Sequence, residues 1–306
     1  MLAAILPIGL AACATGGAGG AGGAEGGRPD VVVTTTIWGD VVGHVAGVEA
    51  SVEVLFPIGV DAHGFQPSAQ QAARLREADL VVANGLGLEE SLVDLLGSTE
   101  QESGNVLELA SLLEPIPFGG QPAHEGEEEE RVGGDPHVWM DPQRVAQAAG
   151  LIAKRLEALA PGDWLARAED YTAEVIAADR RIEQVLADVG APRRRLVTNH
   201  EAFGYFAARY DFEVIGVIVP GGSTLGEPST AEFAELASVI EREGIPAIFA
   251  ETTVSTVLAE SLAAEVGRKI DVVELFTESL GEPGSGGETY LDMIETNAER
   301  IRDALA

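Results

Sequence analysis

The sequence predicts an α/β protein of two lobes, each with a mostly parallel β-sheet flanked by helices, joined by a long rigid connecting helix. Short apolar strand patterns alternate with helical patterns, which is typical of parallel sheets covered on both faces. This alternation occurs in two series, separated by a long helical segment. The chain has 306 residues, and single cores usually stop growing at roughly 250–300 residues. Two lobes are therefore expected.

The first series begins with the apolar β-branched run VVV at 31–33, which passes directly into the helical pattern IWGDVVGHVAG. Further strands are predicted from β-branched and apolar runs. They lie at 52–56, 80–84 and 105–109, and helices are predicted at 68–78, where Ser68 is the expected N-cap, and at 88–96.

A long helical pattern follows from about Pro142 to Val189, interrupted by PGDW at 161–164. From Trp164 it runs for about 26 residues without internal glycine or proline, which corresponds to roughly 39 Å of helix. Such a length can cross a whole small domain. This segment is either a rigid connector between the lobes or a surface helix of the second lobe.

The second series begins at RRRLVTNH and predicts strands at 212–219, 247–251 and 271–276, with helices near 200–210, 230–243, 255–266 and 289–304. Together the patterns predict five segments. These are a signal peptide with a lipobox at 1–13, a Gly-rich tether at 14–29, an N-terminal lobe at 30–160, a connecting helix at 161–190 and a C-terminal lobe at 191–306.

The N-terminal stretch MLAAILPIGLAAC is apolar, and its small-residue end is typical of a secretory cleavage site. It is shorter than the roughly 20 apolar residues of a transmembrane helix. Its last four residues resemble a bacterial lipobox, in which Cys13 becomes lipidated. Cys13 is the single cysteine, so a disulfide within the chain is excluded. An export signal, a lipidated cysteine and a flexible tether indicate an extracytoplasmic protein, lipid-anchored to the outer face of the cell membrane or periplasmic.

The formal net charge is -31, from 50 acidic and 19 basic residues. Such a chain repels the phosphates of nucleic acids and the surface of an anionic membrane. Nucleic acid is therefore excluded as a partner. The acidic run HEGEEEE at 124–130 has no apolar residue and predicts a solvated loop, although a histidine beside carboxylates could also collect cations.

Three of the five histidines have a context that suggests ligation. His63 lies in a loop between a strand and a helix, His137 lies between two Asp-Pro steps, and His200 follows a strand directly. Glu278 follows the apolar strand VVELF. Ligands bind at the carboxyl ends of parallel strands, where His63, His200 and Glu278 are expected. With His137 in its Pro-bounded loop, these residues form the predicted metal site. His44, within the first helix, is expected to have no chemical role.

The four candidates are separated by 74, 63 and 78 residues, the differences between positions 63, 137, 200 and 278. Zinc-finger ligands come in close pairs, so this spacing instead indicates a site assembled between lobes. Three imidazoles and one carboxylate form a complete tetrahedral set for Zn²⁺. Mn²⁺ prefers more oxygen donors and is the less favoured ion, while copper and nickel remain chemically possible.

At these residues the sequence resembles the cluster A-I metal-binding lipoproteins, the substrate-binding proteins of zinc and manganese ABC importers. The resemblance rests on DPHVWMDPQRV, VTNHEAFGYFAARYDFEVIG, GGSTLGEPS and ELFTESLG, together with a segment around His63. It implies a monomer that delivers its ion to a membrane permease. It also implies that His63, His137, His200 and Glu278 are the ligands. Manganese binders of the family carry glutamate where His200 stands, which implies the zinc branch.

Two details depart from the family pattern. Asp61-Ala62-His63 replaces a common Asp-Pro-His, and Glu278 is one methylene longer than the usual aspartate. Glu278 therefore could bind through one oxygen or two. Asp61, Asp135 and Glu201 are candidates for orienting the imidazole rings through hydrogen bonds.

Three functions are compatible with such a site. A non-enzymatic carrier needs four protein ligands and no bound water. A zinc enzyme would keep an open fourth position, yet neither a His-Glu-x-x-His run nor a Gly-x-Ser-x-Gly elbow occurs. A metal-dependent adhesin or a chelate binder is the third function, but aromatic residues make up only 5% of the chain, too few for the aromatic walls of a chelate cleft. The carrier is therefore the predicted function.

Overall fold

The computed structural model describes residues 27–118 and 134–306. Two β-sheets of four strands each form the centres of two lobes, and all strand pairs within them are parallel. The predicted signal peptide with Cys13, residues 14–26 of the predicted tether and the acidic run with His124 lie outside the described residues. The predicted two-lobe α/β fold is confirmed.

The first sheet contains β1 (Asp30–Val33), β2 (Ser51–Val54), β3 (Leu80–Ala83) and β4 (Val106–Glu108), in the order β2-β1-β3-β4. The helices of this part are α1 (Thr36–Ala46), α2 (Ala69–Glu77) and α3 (Val93–Ser103). The central strand β3 is buried along its whole length, which explains its continuous apolar sequence. Ser68 caps α2 as predicted and forms a capping box with Gln71.

The second sheet contains β5 (Arg195–Thr198), β6 (Glu213–Val217), β7 (Ala247–Glu251) and β8 (Asp271–Leu275), in the order β6-β5-β7-β8. Its helices are α6 (Gly204–Tyr210), α7 (Thr230–Glu243), α8 (Val257–Glu265) and α9 (Tyr290–Leu305). The strand order repeats that of the first sheet. The same carboxyl-end edge is therefore available for ligands in both lobes.

Two helices lie between the sheets in the chain, α4 (Pro142–Leu159) and α5 (Trp164–Leu186). Helix α5 packs against α4, against α1 of the first lobe and against α9 of the second. Near its start, Arg167 donates to the carbonyl oxygen of Val45 at 2.9 Å. Near its end, Asp179 accepts from the hydroxyl of Tyr210 at 2.9 Å. The boundaries 30–160, 161–190 and 191–306 stay a prediction.

The larger hydrophobic core runs from the first sheet through α4, α5 and α9 to one face of the second sheet. The other face of the second sheet packs on α7 and α8 in a smaller core. No helix in residues 27–118 and 134–306 is both long and apolar enough to cross a bilayer.

Two predicted helices begin later than expected. The pattern at 88–96 forms α3 only from Val93, after a short 3-10 helix at Glu90–Leu92. The pattern near 200–210 forms α6 only from Gly204, and residues 199–203 form a turn. Thr198 donates its hydroxyl to the carbonyl oxygen of His200 at 2.8 Å, and the backbone N–H of Ala202 donates to the same oxygen at 2.9 Å. These bonds hold His200 in a turn ahead of the helix. His200 therefore lies at the strand end rather than on the helix.

Candidate metal centre

The loop that carries His63 is held against the loop that carries Glu278. The backbone N–H of Ala62 donates to Oε2 of Glu278 at 2.9 Å, and the N–H of Gly59 donates to Oγ of Ser279 at 2.8 Å. The other carboxylate oxygen of Glu278, Oε1, lies 3.1 Å from Nε2 of His63. One carboxylate oxygen thus fixes the first lobe's loop, and the other faces the imidazole.

His137 lies in a fully buried loop that both lobes stabilise. Its N–H donates to Oδ1 of Asp135 at 2.9 Å, and the same oxygen is 2.7 Å from Nδ1 of its ring. Trp139 donates its indole N–H to the carbonyl oxygen of Thr277 at 2.7 Å, next to Glu278. Since Asp135 accepts from Nδ1–H, the lone pair of Nε2 of His137 is free to face the cluster.

His200 has the same arrangement with a different carboxylate. Oε1 of Glu251, the last residue of β7, is 2.5 Å from Nδ1 of His200. Oε2 of Glu251 accepts from the hydroxyl of Thr277 at 2.7 Å. The Nε2 atom of His200 then lies 3.1 Å from Oε1 of Glu278. A carboxylate thus sets the ring orientation here as well.

The four predicted residues converge on one point between the lobes. One donor atom from each of His63, His137, His200 and Glu278 lies within 4.8 Å of all the others. All four residues are buried, with relative exposures of 2%, 0%, 0% and 2%. The structure therefore brings together the whole set that the sequence predicted.

The donor distances from Glu278 to the three imidazoles, and from His137 to His200, fit a small tetrahedral cation. Four donors about 2.0–2.1 Å from a tetrahedral ion are about 3.3 Å from one another. Nε2 of His137 is 3.1 Å from Nε2 of His200 and 3.7 Å from Oε1 of Glu278. Nε2 of His63 and Oε1 of Glu278 are buried and have no hydrogen-bond partner among the residues that the structure describes. Buried polar atoms need partners, and a cation at the centre would supply one for both.

The charges of the cluster couple cation binding to proton release. Burial disfavours protonation of His137, but Asp135 outweighs it, so the pKa of His137 is raised. Burial likewise opposes protonation of His200, and Glu251 raises the pKa of that imidazole well above its usual value. Burial alone would raise the pKa of Glu278, but the imidazoles hold it well below its usual range. Only neutral imidazoles bind metal, so an entering cation must displace protons.

Sequence reasoning found part of the surrounding hydrogen bonding. Asp135 contacts its imidazole as suggested, whereas Asp61 accepts the backbone N–H of His63 at 2.9 Å. The carboxylate on Nδ1 of His200 is Glu251, which is not among the three predicted orienting groups. Glu251 ends the apolar run AIFAE, so its position at a strand end is the signal that could have identified it. Glu90, whose Oε1 is 3.4 Å from Nδ1 of His63, was also missed.

His44, which was expected to have no chemical role, lies on α1 away from the cluster. Its ring stacks on Tyr171 of α5 with 4.3 Å between centroids. Its side chain is 42% exposed, and Nε2 lies 3.8 Å from Oδ1 of Asp40 on the same helix.

Two lobes with parallel sheets and a buried imidazole and carboxylate cluster between them define the class of metal-binding substrate-binding proteins. The family described as zinc-uptake complex component A, periplasmic (ZnuA), matches residues 31–304. The chain belongs to this family, whose members are the metal-binding substrate-binding proteins of ABC importers.

Three similarities with known proteins agree with this assignment. The zinc-binding protein TroA of Treponema pallidum is 32% identical over 287 residues, which cover 92% of this chain and 90% of that protein. A solved structure of periplasmic zinc binding protein TroA has a TM-score of 0.81 and 31% identity, covering 92% of this chain and 100% of that chain. The manganese-binding lipoprotein MntA of Halalkalibacterium halodurans is 28% identical over 306 residues, covering 99% of this chain and 97% of that protein. The relatives are thus named for two different metals.

Proposed function

We propose that this protein captures Zn²⁺ at His63, His137, His200 and Glu278 and delivers it to the membrane permease of an ABC importer. The observation that carries the proposal is the convergence of four buried donor atoms, three of them imidazole nitrogens, within 4.8 Å of one another. Three nitrogens and one oxygen suit zinc better than manganese.

Glu278 acts as the fourth ligand in this proposal. Its Oε1 lies 3.1 Å from Nε2 of both His63 and His200, a spacing that fits two donors on one ion. A carboxylate that only hydrogen-bonded a metal-bound water would lie farther from the imidazoles. Its Oε2 accepts the N–H of Ala62, which favours ligation through one oxygen. Four protein ligands leave no open position for the water of a zinc hydrolase, and this supports a carrier over an enzyme.

Manganese is the alternative cargo. MntA, which matches nearly the whole chain, is named for manganese, whereas TroA is named for zinc. Similarity therefore supports either ion, and the donor set favours zinc. In both cases the ion is cargo rather than a resident cofactor.

The location belongs to the same proposal. We infer an extracytoplasmic monomer that is anchored to the outer face of the membrane through a lipidated Cys13, with residues 14–29 as the tether. The relatives MntA and PsaA are named as lipoproteins, which supports this location.

Elemental analysis of protein purified without added metal, followed by competition between zinc and manganese, tests the cargo. We expect one zinc per chain, displaced only by a large excess of manganese. His200→Ala should lower zinc affinity sharply and leave the fold intact, because the remaining donors are incomplete. His44→Ala is the matched control, since His44 is a histidine outside the cluster. Zinc affinity that is unchanged in His200→Ala would refute the ligand assignment.

A further inference from the structure

The carboxylates that contact the three imidazoles differ in their exposure to solvent. Asp135 and Glu251, the carboxylates that contact His137 and His200, are both 0% exposed. The side chain of Glu90, the carboxylate beside His63, is 41% exposed. Of the three imidazoles, His63 is therefore the one whose neighbouring carboxylate reaches solvent.

A loop of the second lobe covers this side. We call residues 218–229, between β6 and α7, the latch loop. The hydroxyl of Thr224 donates to Oδ2 of Asp61 at 2.5 Å, and the hydroxyl of Ser223 donates to Oε1 of Glu90 at 2.5 Å. Both acceptors belong to the first lobe. The latch loop thus crosses the cleft between the lobes.

The two acceptors are also the residues that contact His63. Oδ1 of Asp61 accepts the backbone N–H of His63 at 2.9 Å. The oxygen of Glu90 that accepts from Ser223 lies 3.4 Å from Nδ1 of the His63 ring. The latch loop is therefore linked to His63 through two residues: Asp61 links Thr224 to the backbone of His63, and Glu90 links Ser223 to its ring.

Packing brings the latch loop close to the first lobe at two further points. A Cβ atom on Gly222 would lie 2.0 Å from a ring carbon of Phe118, so a larger residue here would displace the Phe118 ring. A Cβ atom on Gly64, next to His63, would lie 3.5 Å from the side chain of Leu225. The latch loop thus lies within van der Waals reach of the His63 loop.

We propose that Thr224 and Ser223 form a gate over the cluster. In this proposal, which rests on the proposed function, a divalent cation enters and leaves beside His63 after their hydrogen bonds to Asp61 and Glu90 break. Neither hydroxyl is a metal ligand. The two residues control the rate of exchange.

The two hydrogen bonds should contribute unequally. The bond from Thr224 to Asp61 is half-buried, whereas the bond from Ser223 to Glu90 is exposed and weakened by solvent. Because every passage in either direction requires opening, loss of a bond should speed zinc association and zinc dissociation together. We expect about a 5- to 10-fold increase in both rates for Thr224→Val and about 2-fold for Ser223→Ala.

Stopped-flow measurements on the full chain test the gate. Dissociation is followed by mixing zinc-loaded protein with excess chelator, and association by mixing protein with zinc and a fluorescent zinc indicator. Thr172→Val and Ser238→Ala are matched controls, because their hydroxyls donate to helix carbonyl oxygens of Ala146 and Ala234. Thr224→Ser keeps the hydroxyl and should keep wild-type rates. Thr224→Ala removes the hydroxyl without adding a methyl group, in case the valine variant does not fold.

The outcomes separate the gate from the proposed function. Parallel increases in both rates, with little change in affinity, support the gate. An increase in dissociation alone would mean that ligation by His63 is damaged and would overturn it. Rates equal to those of the controls, in protein that holds zinc normally, would overturn the gate and leave the proposed function standing. Wild-type protein that binds no zinc would refute both.

Discussion

Replacing Glu251 with glutamine removes one charge at the candidate metal centre and little else. Glu251 is 0% exposed, and its two oxygens contact Nδ1 of His200 at 2.5 Å and the hydroxyl of Thr277 at 2.7 Å. A glutamine of the same shape can accept from Nδ1–H with its carbonyl oxygen and donate to Thr277 with its amide. Any change in zinc affinity then reports on the negative charge.

The size of the effect follows from the position of Glu251. Loss of a carboxylate partner on a ligating imidazole typically lowers metal affinity about 10- to 100-fold, or about 1.4–2.8 kcal/mol. Glu251 and His200 are both fully buried, so solvent screens their interaction little. We therefore expect Glu251→Gln to weaken zinc binding toward the upper end of this range.

The same substitution should change the pH dependence in the opposite sense. Glu251 raises the pKa of His200, so protons compete with zinc at a higher pH than they would for an ordinary histidine. Without the charge, that pKa falls and the imidazole stays neutral to lower pH. The pH at which zinc affinity falls to half of its own high-pH value should therefore move downward, although that high-pH affinity is weaker.

Competition with a fluorescent chelator measures both effects, between about pH 5.5 and 8.5 where histidines titrate. Glu243→Gln is the control, because Glu243 forms an ion pair with Arg195 at 2.9 Å, a third exposed on the second lobe. The reasoning would be refuted if Glu251→Gln matched wild type in both affinity and pH midpoint.

Three further predictions concern the ligand set and the second lobe. His200→Glu replaces a nitrogen donor with oxygen and should lower the preference for zinc over manganese in competition titrations. An unchanged ratio of zinc affinity to manganese affinity would contradict this reasoning. In the wild-type protein, the raised pKa values of His137 and His200 mean that zinc affinity should begin to weaken above about pH 6.5 as pH falls. Calorimetry in two buffers should detect proton release on zinc binding; no proton release would argue against these shifts. Asp179→Ala removes the buried acceptor of the Tyr210 hydroxyl and of the Arg209 guanidinium. Urea titrations should show the free energy of unfolding lowered by about 3 kcal/mol, with zinc affinity retained. Wild-type stability would show that this hydrogen-bond network contributes little.

The position of the four candidate ligands was predictable because it depends on local patterns. Strand runs such as DVVEL end in a loop, and parallel strands present their carboxyl ends at one edge. His200 and Glu278 could be placed there without knowledge of the strand order. Their convergence with His63 and His137 was expected from the donor chemistry and from the resemblance to a known family.

The hydrogen-bond partners of the candidate ligands depend on the strand order and were only partly predictable. Glu251 ends β7, and its position beside His200 follows from β7 lying between β5 and β8. The patterns along the chain do not contain this neighbour relation. Asp135 and Asp61, each two residues before a candidate histidine, could be assigned from sequence distance, although Asp61 contacts the backbone of His63 and not its ring.

Contacts across the lobes were the least predictable. Ser223 and Glu90 are 133 residues apart, and Thr224 and Asp61 are 163 residues apart. Both pairs lie in polar loops without periodic patterning. The segment GGSTLGEPS was recognised as a motif of the family, but no function could be assigned to it from sequence. Its contact residues are known only once the two lobes are placed together.

The shared core explains why a local opening is the easier route for the ion. Trp164, Tyr171 and Tyr290 belong to a core that is continuous from the first sheet to the second. Separating the lobes would expose such side chains, and each large apolar side chain contributes about 1.5–3 kcal/mol when buried. Moving only the tip of the latch loop at Ser223 and Thr224 breaks their two side-chain hydrogen bonds to the first lobe, each contributing about 0.5–3 kcal/mol. Exchange of the ion through the latch loop therefore needs less free energy than movement of whole lobes. For this reason, substitutions at Thr224 should alter the rates of zinc association and dissociation.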